Sequence, residues 1–208
     1  MLAGQPQPVQ EFLLQTSILE RISAPLCDAL LPDLQYPIPN LQSPDFRPLS
    51  PLPSPSSIPN TPSRHEHLDA ANLFIHPLDD ERRWYRYHRL FADLLQARLQ
   101  EARPDLVPEL HRRAATWCEE HALPASAVRH ALATQDPDLA AGVIERLIGQ
   151  VDTWAQVSAA TYLRWIEALP DDLVRSRPRL RLFAARALYG TGQAVKAEQI
   201  LAELEGAL

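Results

Sequence analysis

Residues 73–100 read LFIHPLDDERRWYRYHRLFADLLQARLQ, and the side-chain period changes inside this stretch. Leu73 to Leu78 is a short apolar run with a β-branched residue and an aromatic. Asp79-Asp80-Glu81-Arg82 is a polar turn, and Trp84-Tyr85-Arg86-Tyr87-His88 is a second aromatic-rich run. Two such runs around an acidic turn predict a β-hairpin. From Arg89 the spacing becomes helical. Leu90, Phe91, Leu94, Leu95 and Leu99 are assigned to one face of a helix that ends by Pro104.

Everything after Pro104 reads as helix. Leu106, Leu110, Ala114, Trp117 and Cys118 form one stripe. Leu139, Ala140, Val143, Ile144, Leu147 and Ile148 form a second, and Trp154, Val157, Thr161 and Trp165 a third. Asp171 and Asp172 suit a helix start, and Gly190 with Gly192 marks a turn between helices. A constant shift superposes Ala131 on Ala187, Leu132 on Leu188, Ala141 on Ala197, Ile144 on Ile200 and Ile148 on Leu204. Small residues at close-packing positions, with aliphatic residues one turn on, predict tetratricopeptide-like helical hairpins. The shift exceeds the usual period of about 34 residues, so an irregular helix pair is expected between the copies.

Upstream of the hairpin, residues 9–31 place Phe12, Leu13, Leu14, Ile18, Leu19 and Ile22 at helical spacing, and Pro25 can open a second short helix. Half of the chain's 20 prolines then fall between Pro32 and Pro62. Each removes a backbone donor and restricts its neighbour, which predicts an extended, disordered linker. The alternative for such sequence, a ligand for an SH3-type domain, has no evident partner in a chain of this type.

At 208 residues, with 46% hydrophobic and 22% charged side chains, the chain can bury one good domain or two small ones. A formal charge of −6 argues against nucleic-acid binding as the main task, which needs a positive surface. No apolar run approaches the roughly 18–20 residues that span a bilayer. The N-terminus has neither the basic start nor the apolar stretch of a signal peptide, so the cytoplasm is expected. Cys27 and Cys118 form no CxxC pair and read as small core residues.

Motifs for chemistry are scarce. The sequence has six glycines and contains no GxxxxGK[ST], GxGxxG or GxSxG. Cys118 and His121 are spaced to meet on one helix, but Cys118 lies on the apolar stripe beside Trp117, which favours packing over nucleophilic chemistry. His65 and His67 flank Glu66, yet their side chains diverge on a helix and no further ligand cluster lies near. Glu101, Asp105, Glu109, Glu119 and Glu120 read as solvated helix faces. Arg82, Arg83, Arg86 and Arg89, interleaved with Trp84, Tyr85 and Tyr87, form the one local basic cluster. Such a wing can touch a DNA backbone, or its arginines can pair with Asp79, Asp80, Glu81 or Asp93. The acidic total favours pairing.

The stretch from Leu68 to Gln100 closely resembles the MalT-like, LuxR-type regulators, which are ATP-dependent transcription activators of the STAND class. Leu73-Phe74, Pro77-Leu78-Asp79, Trp84 to His88 and Leu90 to Leu95 carry the likeness. Pro108 to Ala114, Ala127 to Leu132, Leu163 to Pro170, Arg177 to Leu180 and Gly192-Gln193 continue it. Residues 9–31 resemble the segment that joins the family's ATPase module to its arm. Residues 32–64 depart from the pattern, because relatives carry a continuous helix where this chain is proline-rich.

The resemblance implies an all-α fold: an α-solenoid of tetratricopeptide-like hairpins preceded by a partial winged-helix arm with one β-hairpin. It divides the chain into an N-terminal helical segment (1–31), the linker (32–64), the winged-helix-like hairpin and helix (65–104), and helical repeats (105–208). It implies a signal-transduction segment of a regulator whose ATPase and DNA-binding modules lie elsewhere, with no catalytic residue, no metal and no cofactor of its own. ATP belongs to the full-length family. Tyr87-His88, followed by Leu90 and Asp93 to Leu95, resembles the family's Met-His-Asp motif. By that likeness His88 would contact a nucleotide phosphate once an ATPase module lay beside it. Expected partners are such a module or another protein on the arm and an inducer on the repeats, with neither nucleic acid nor membrane. Self-association is expected through the hairpin of Pro178 to Leu208. The competing reading is a stand-alone helical-repeat scaffold that binds a protein or small ligand.

Overall fold

Two backbone hydrogen bonds of 2.8 Å, from Ile22 N–H to the Tyr85 carbonyl and from Tyr85 N–H to the Ile22 carbonyl, tie the N-terminal helices to the hairpin. The computed structural model describes residues 7–32, 75–81, 83–150 and 157–206, and the chain divides into two compact units, Met1–Arg103 and Pro104–Leu208. The proline-rich segment beyond Pro32, with the linker expected there, lies outside the described residues.

In the first unit, α1 (Gln7–Thr16) and α2 (Ala24–Leu30) precede strands β1 (Ile75–Pro77) and β2 (Tyr85–Tyr87), and α3 (Arg89–Ala102) follows at once. Pro25 sits in the first turn of α2, where a missing N–H costs nothing. The strands pair antiparallel, Ile75 with Tyr87, His76 with Arg86 and Pro77 with Tyr85, so the predicted hairpin forms. Ile22 adds a third strand position beside Tyr85. Phe12, Ile18, Leu19, Ile22, Leu26, Cys27, Leu30, Tyr87, Leu95 and Leu99 make the core. Helix α1 packs on α3, and Gln96 donates to the Ser17 carbonyl at 2.6 Å. The described residues of 7–32 and 75–103 thus pack as one unit.

The expected apolar face of α3 is corrected. Leu95 and Leu99 are buried and Phe91 is half-buried, but Leu90 is 73% and Leu94 50% exposed. At 3.6 residues per turn, Leu90 and Leu94 share one line, while Leu95 and Leu99 share another roughly 140° round the helix. Five residues so distributed cannot face one way.

The second unit holds α4 (Leu106–Glu120), α5 (Pro124–Ala133), α6 (Pro137–Ile148), α7 (Ala159–Glu167), α8 (Asp171–Ser176), α9 (Pro178–Gly190) and α10 (Ala194–Glu205). Consecutive packing runs α4 on α5, α5 on α6 and α6 on α7. Helix α9 then packs on both α7 and α10, and the short α8 touches α6 and α9. Proline opens α5, α6 and α9, and the Asp136 carboxylate caps α6 by accepting from the Leu139 N–H at 3.0 Å. The α9–α10 turn needs a left-handed residue, and Gly192 supplies it with φ +79°.

The matched alanines Ala131 and Ala187, and Ala141 and Ala197, are all fully buried. Their helices form two hairpins, α5–α6 and α9–α10, with α7 and the short α8 between them among the described residues. On α7 the buried face is Tyr162, Trp165 and Ile166 with Leu169 beyond, and Thr161 is only half-buried. Trp154 lies outside the described residues. Cross-helix ion pairs fix the layers: Arg146 grips Glu119 through two bonds, 2.6 and 2.9 Å. Arg177 spans Asp138 at 2.6 Å and Glu145 at 3.1 Å. The fold is all-α with one two-stranded sheet among the described residues. None of the described helices is long and apolar enough to cross a membrane.

Candidate functional site

His88 is the N-cap residue of α3, with its backbone extended at ψ 133° and its carbonyl accepting from the N–H groups of Phe91 (2.9 Å) and Ala92 (3.0 Å). Its imidazole makes no capping bond and is exposed. Strand alternation puts Arg86 and His88 on the same side of β2, and the register sets His76 opposite Arg86. The His76 and His88 rings lie 6.1 Å apart, centroid to centroid. Arg86 also donates through Nε to the Glu20 carbonyl at 3.4 Å. Two imidazoles and a guanidinium thus gather where α3 begins. There, N–H groups without helical partners and the positive end of the helix dipole favour an anion.

The rest of the arginine cluster is partly paired. Arg83 forms an ion pair with Glu81, and the Asp79 carboxylate accepts from the backbone N–H groups of Arg83 at 2.8 Å and Trp84 at 3.2 Å. The acidic turn therefore holds its own shape. Arg82 lies outside the described residues, as do His65, Glu66 and His67. No group of three metal-ligating side chains occurs among the described residues.

Cys118 and His121 do not make a nucleophile and base. Burial pushes the Cys118 thiol up to about 11. The His121 ring lies flat on Trp117, centroids 3.8 Å apart, with Nδ1 2.8 Å from the Trp117 carbonyl. Burial, with Asp28 adding to it, likewise pushes the Cys27 thiol up to about 12. Both cysteines are free and buried, as core packing requires.

One pair went unrecognised in the sequence. His111 on α4 and His130 on α5 approach with Nδ1 atoms 2.9 Å apart. The available signal was register, since His111 falls between Val107 and Ala114 on the α4 stripe, and His130 falls between Ala127 and Thr134.

The sequence model of the MalT winged helix domain matches residues 1–107, the whole first unit and a few residues past its boundary. The chain belongs to the MalT winged helix domain family. Among curated proteins it is similar to the serine/threonine-protein kinase PknK of Mycobacterium tuberculosis, with 32% identity over 179 residues, covering 86% of this chain and 14% of that protein. It is also similar to the HTH-type transcriptional regulator MalT of Vibrio parahaemolyticus, at 29% over 140 residues, and of Vibrio campbellii, at 30% over 141 residues. Each match covers 67% of this chain and 15% of the relative. The MalT-like chain thus spans about one seventh of the length of these relatives. Strands β1 and β2 and helix α3 all lie inside the matched residues, with His88 at the junction of β2 and α3.

Proposed function

We propose that this chain is the arm and sensor portion of a MalT-like signal-transduction regulator, and that it acts by packing and relay and not by catalysis. The observation that carries the reading is the winged-helix match over residues 1–107, with similarity to PknK reaching across 86% of the chain. Nucleotide binding and DNA binding belong, on this reading, to modules outside these residues, and the chain works in the cytoplasm. The α5–α6 and α9–α10 hairpins act as tetratricopeptide-like repeats that receive an inducer, since stacked hairpins present one continuous surface.

His88 is assigned a phosphate contact that forms only when an ATPase module lies against the arm. Its exposure at the start of α3, beside His76, supports that role. One such contact contributes about 1.5–3 kcal/mol, whereas micromolar affinity needs about 8 kcal/mol. The isolated chain therefore binds no nucleotide measurably. Calorimetry with ATP and with ADP tests this, and no saturable heat is expected. Saturable binding by the isolated chain, abolished by His88→Ala, would overturn the division of labour.

The stand-alone scaffold remains the second reading, favoured by one observation: Pro104–Leu208 forms a compact unit by itself.

A further inference from the structure

The His111 and His130 rings meet across the α4–α5 hairpin at 2.9 Å between Nδ1 atoms, with centroids 5.1 Å apart and planes inclined by 40°. His130 is 2% exposed and His111 half-buried. At this distance the two nitrogens hold one proton: one ring donates and the other accepts with its lone pair. If each Nδ1 carried a proton, two N–H groups would point at each other, and the bond between the rings would be lost.

The surrounding charges do not relieve that conflict. The charge acting on His130 from its own helix is Arg129, and from α4 it is His111. On α4, Glu109 is held by Arg112 and Arg113, and Glu119 by Arg146 of α6. Also on α6, Glu145 and Asp138 are bound to Arg177, and Asp136 is engaged as a cap. His121, at the far end of α4, is turned to Trp117.

We propose that His111 and His130 form a proton-operated latch, closed while one proton is shared between their Nδ1 atoms and released when both rings become imidazolium. Burial first, then the charges of Arg129 and His111, push His130 down from 6.5 to about 3, and burial lowers His111. An open hairpin takes up protons near pH 6.5, whereas the closed pair resists them. The latch is therefore fully closed above about pH 6.5 and weakens as the pH falls toward 3. Each linked proton lowers the closing equilibrium about tenfold per pH unit.

Native-state hydrogen exchange on the full chain between pH 7 and 4.5, corrected for intrinsic rates, reads this directly. Helices α9 and α10, which carry no histidine, serve as the internal reference. Protection in α4–α5 should fall about tenfold per pH unit below pH 6 relative to α9–α10, and H111N/H130N, whose amides bond without titrating, should abolish the excess fall. Imidazole nitrogen NMR of the wild type should show His130 neutral at pH 5 with a proton shared toward His111. A His130 titration near 6.5, or the same excess loss of protection in a folded double variant, would overturn the proposal. If that variant does not fold, the wild-type titration decides alone.

Discussion

Tyr87 donates its phenolic proton to Thr16, 2.7 Å away and 71 residues earlier in the chain. The direction follows from the Thr16 hydroxyl, whose single proton goes to the Phe12 carbonyl at 2.7 Å, leaving it only an acceptor for Tyr87. Both residues are buried, Thr16 completely. With the Ile22–Tyr85 bridge, this bond makes the N-terminal helices and the hairpin one unit.

Replacing Thr16 by Val should leave a buried phenol without its acceptor and destabilise the first unit by about 1–3 kcal/mol. Tyr87→Phe removes the donor instead and should cost less, about 1 kcal/mol. The double variant should lose less than the sum, because neither orphan then remains. Denaturant unfolding of the four proteins checks this; strict additivity would show that the hydroxyls do not meet.

The corrected face of α3 makes a sharper contrast. Leu95→Ala should cost about 2–5 kcal/mol as a fully buried truncation, whereas Leu94→Ala, one residue away and half exposed, should stay within about 0.5 kcal/mol. Equal costs in chemical denaturation would restore the single apolar face that sequence spacing suggested.

The buried thiols should be inert in the folded protein. With Cys118 pushed up to about 11 and Cys27 to about 12, alkylation at pH 8 should proceed only as fast as unfolding exposes them. His121→Ala should leave that rate unchanged. Rapid modification of Cys118 in native buffer, slowed by His121→Ala, would instead establish a thiol–imidazole pair.

The matched alanines test the repeat. Ala141→Leu and Ala197→Leu should each cost about 1–3 kcal/mol by overpacking, while Ala202→Leu, on the exposed side of α10, should be near neutral. Leu182 at 52%, Tyr189 at 47% and Val195 at 70% exposure supply apolar surface at this hairpin. Sedimentation should therefore show concentration-dependent association that Leu182→Glu/Val195→Glu suppresses. A monomer at every concentration would remove the self-association.

Most of the second unit was legible because α4 and α6 keep their apolar residues in register with buried faces, and because the matched alanines fall on α5, α6, α9 and α10. The hairpin was legible from its acidic turn. What local pattern does not encode is pairing at long range. Nothing near Thr16 indicates Tyr87, and nothing near His111 indicates His130, since each depends on two elements meeting. The direction of Leu90 and Leu94 was misassigned because α3 is apolar over nearly half its circumference. His88 was singled out through its likeness to the Met-His-Asp motif, whereas its proximity to His76 and Arg86 emerged only from strand register.

The most direct measurement replaces the matched 140-residue portion of Vibrio parahaemolyticus MalT with the corresponding residues of this chain and reads regulated transcription. The account predicts that the chimera retains regulation above a deletion lacking the segment, and that His88→Ala in the chimera shifts its uninduced level. A folded, stably expressed chimera that behaves like the deletion, with or without His88, would contradict it.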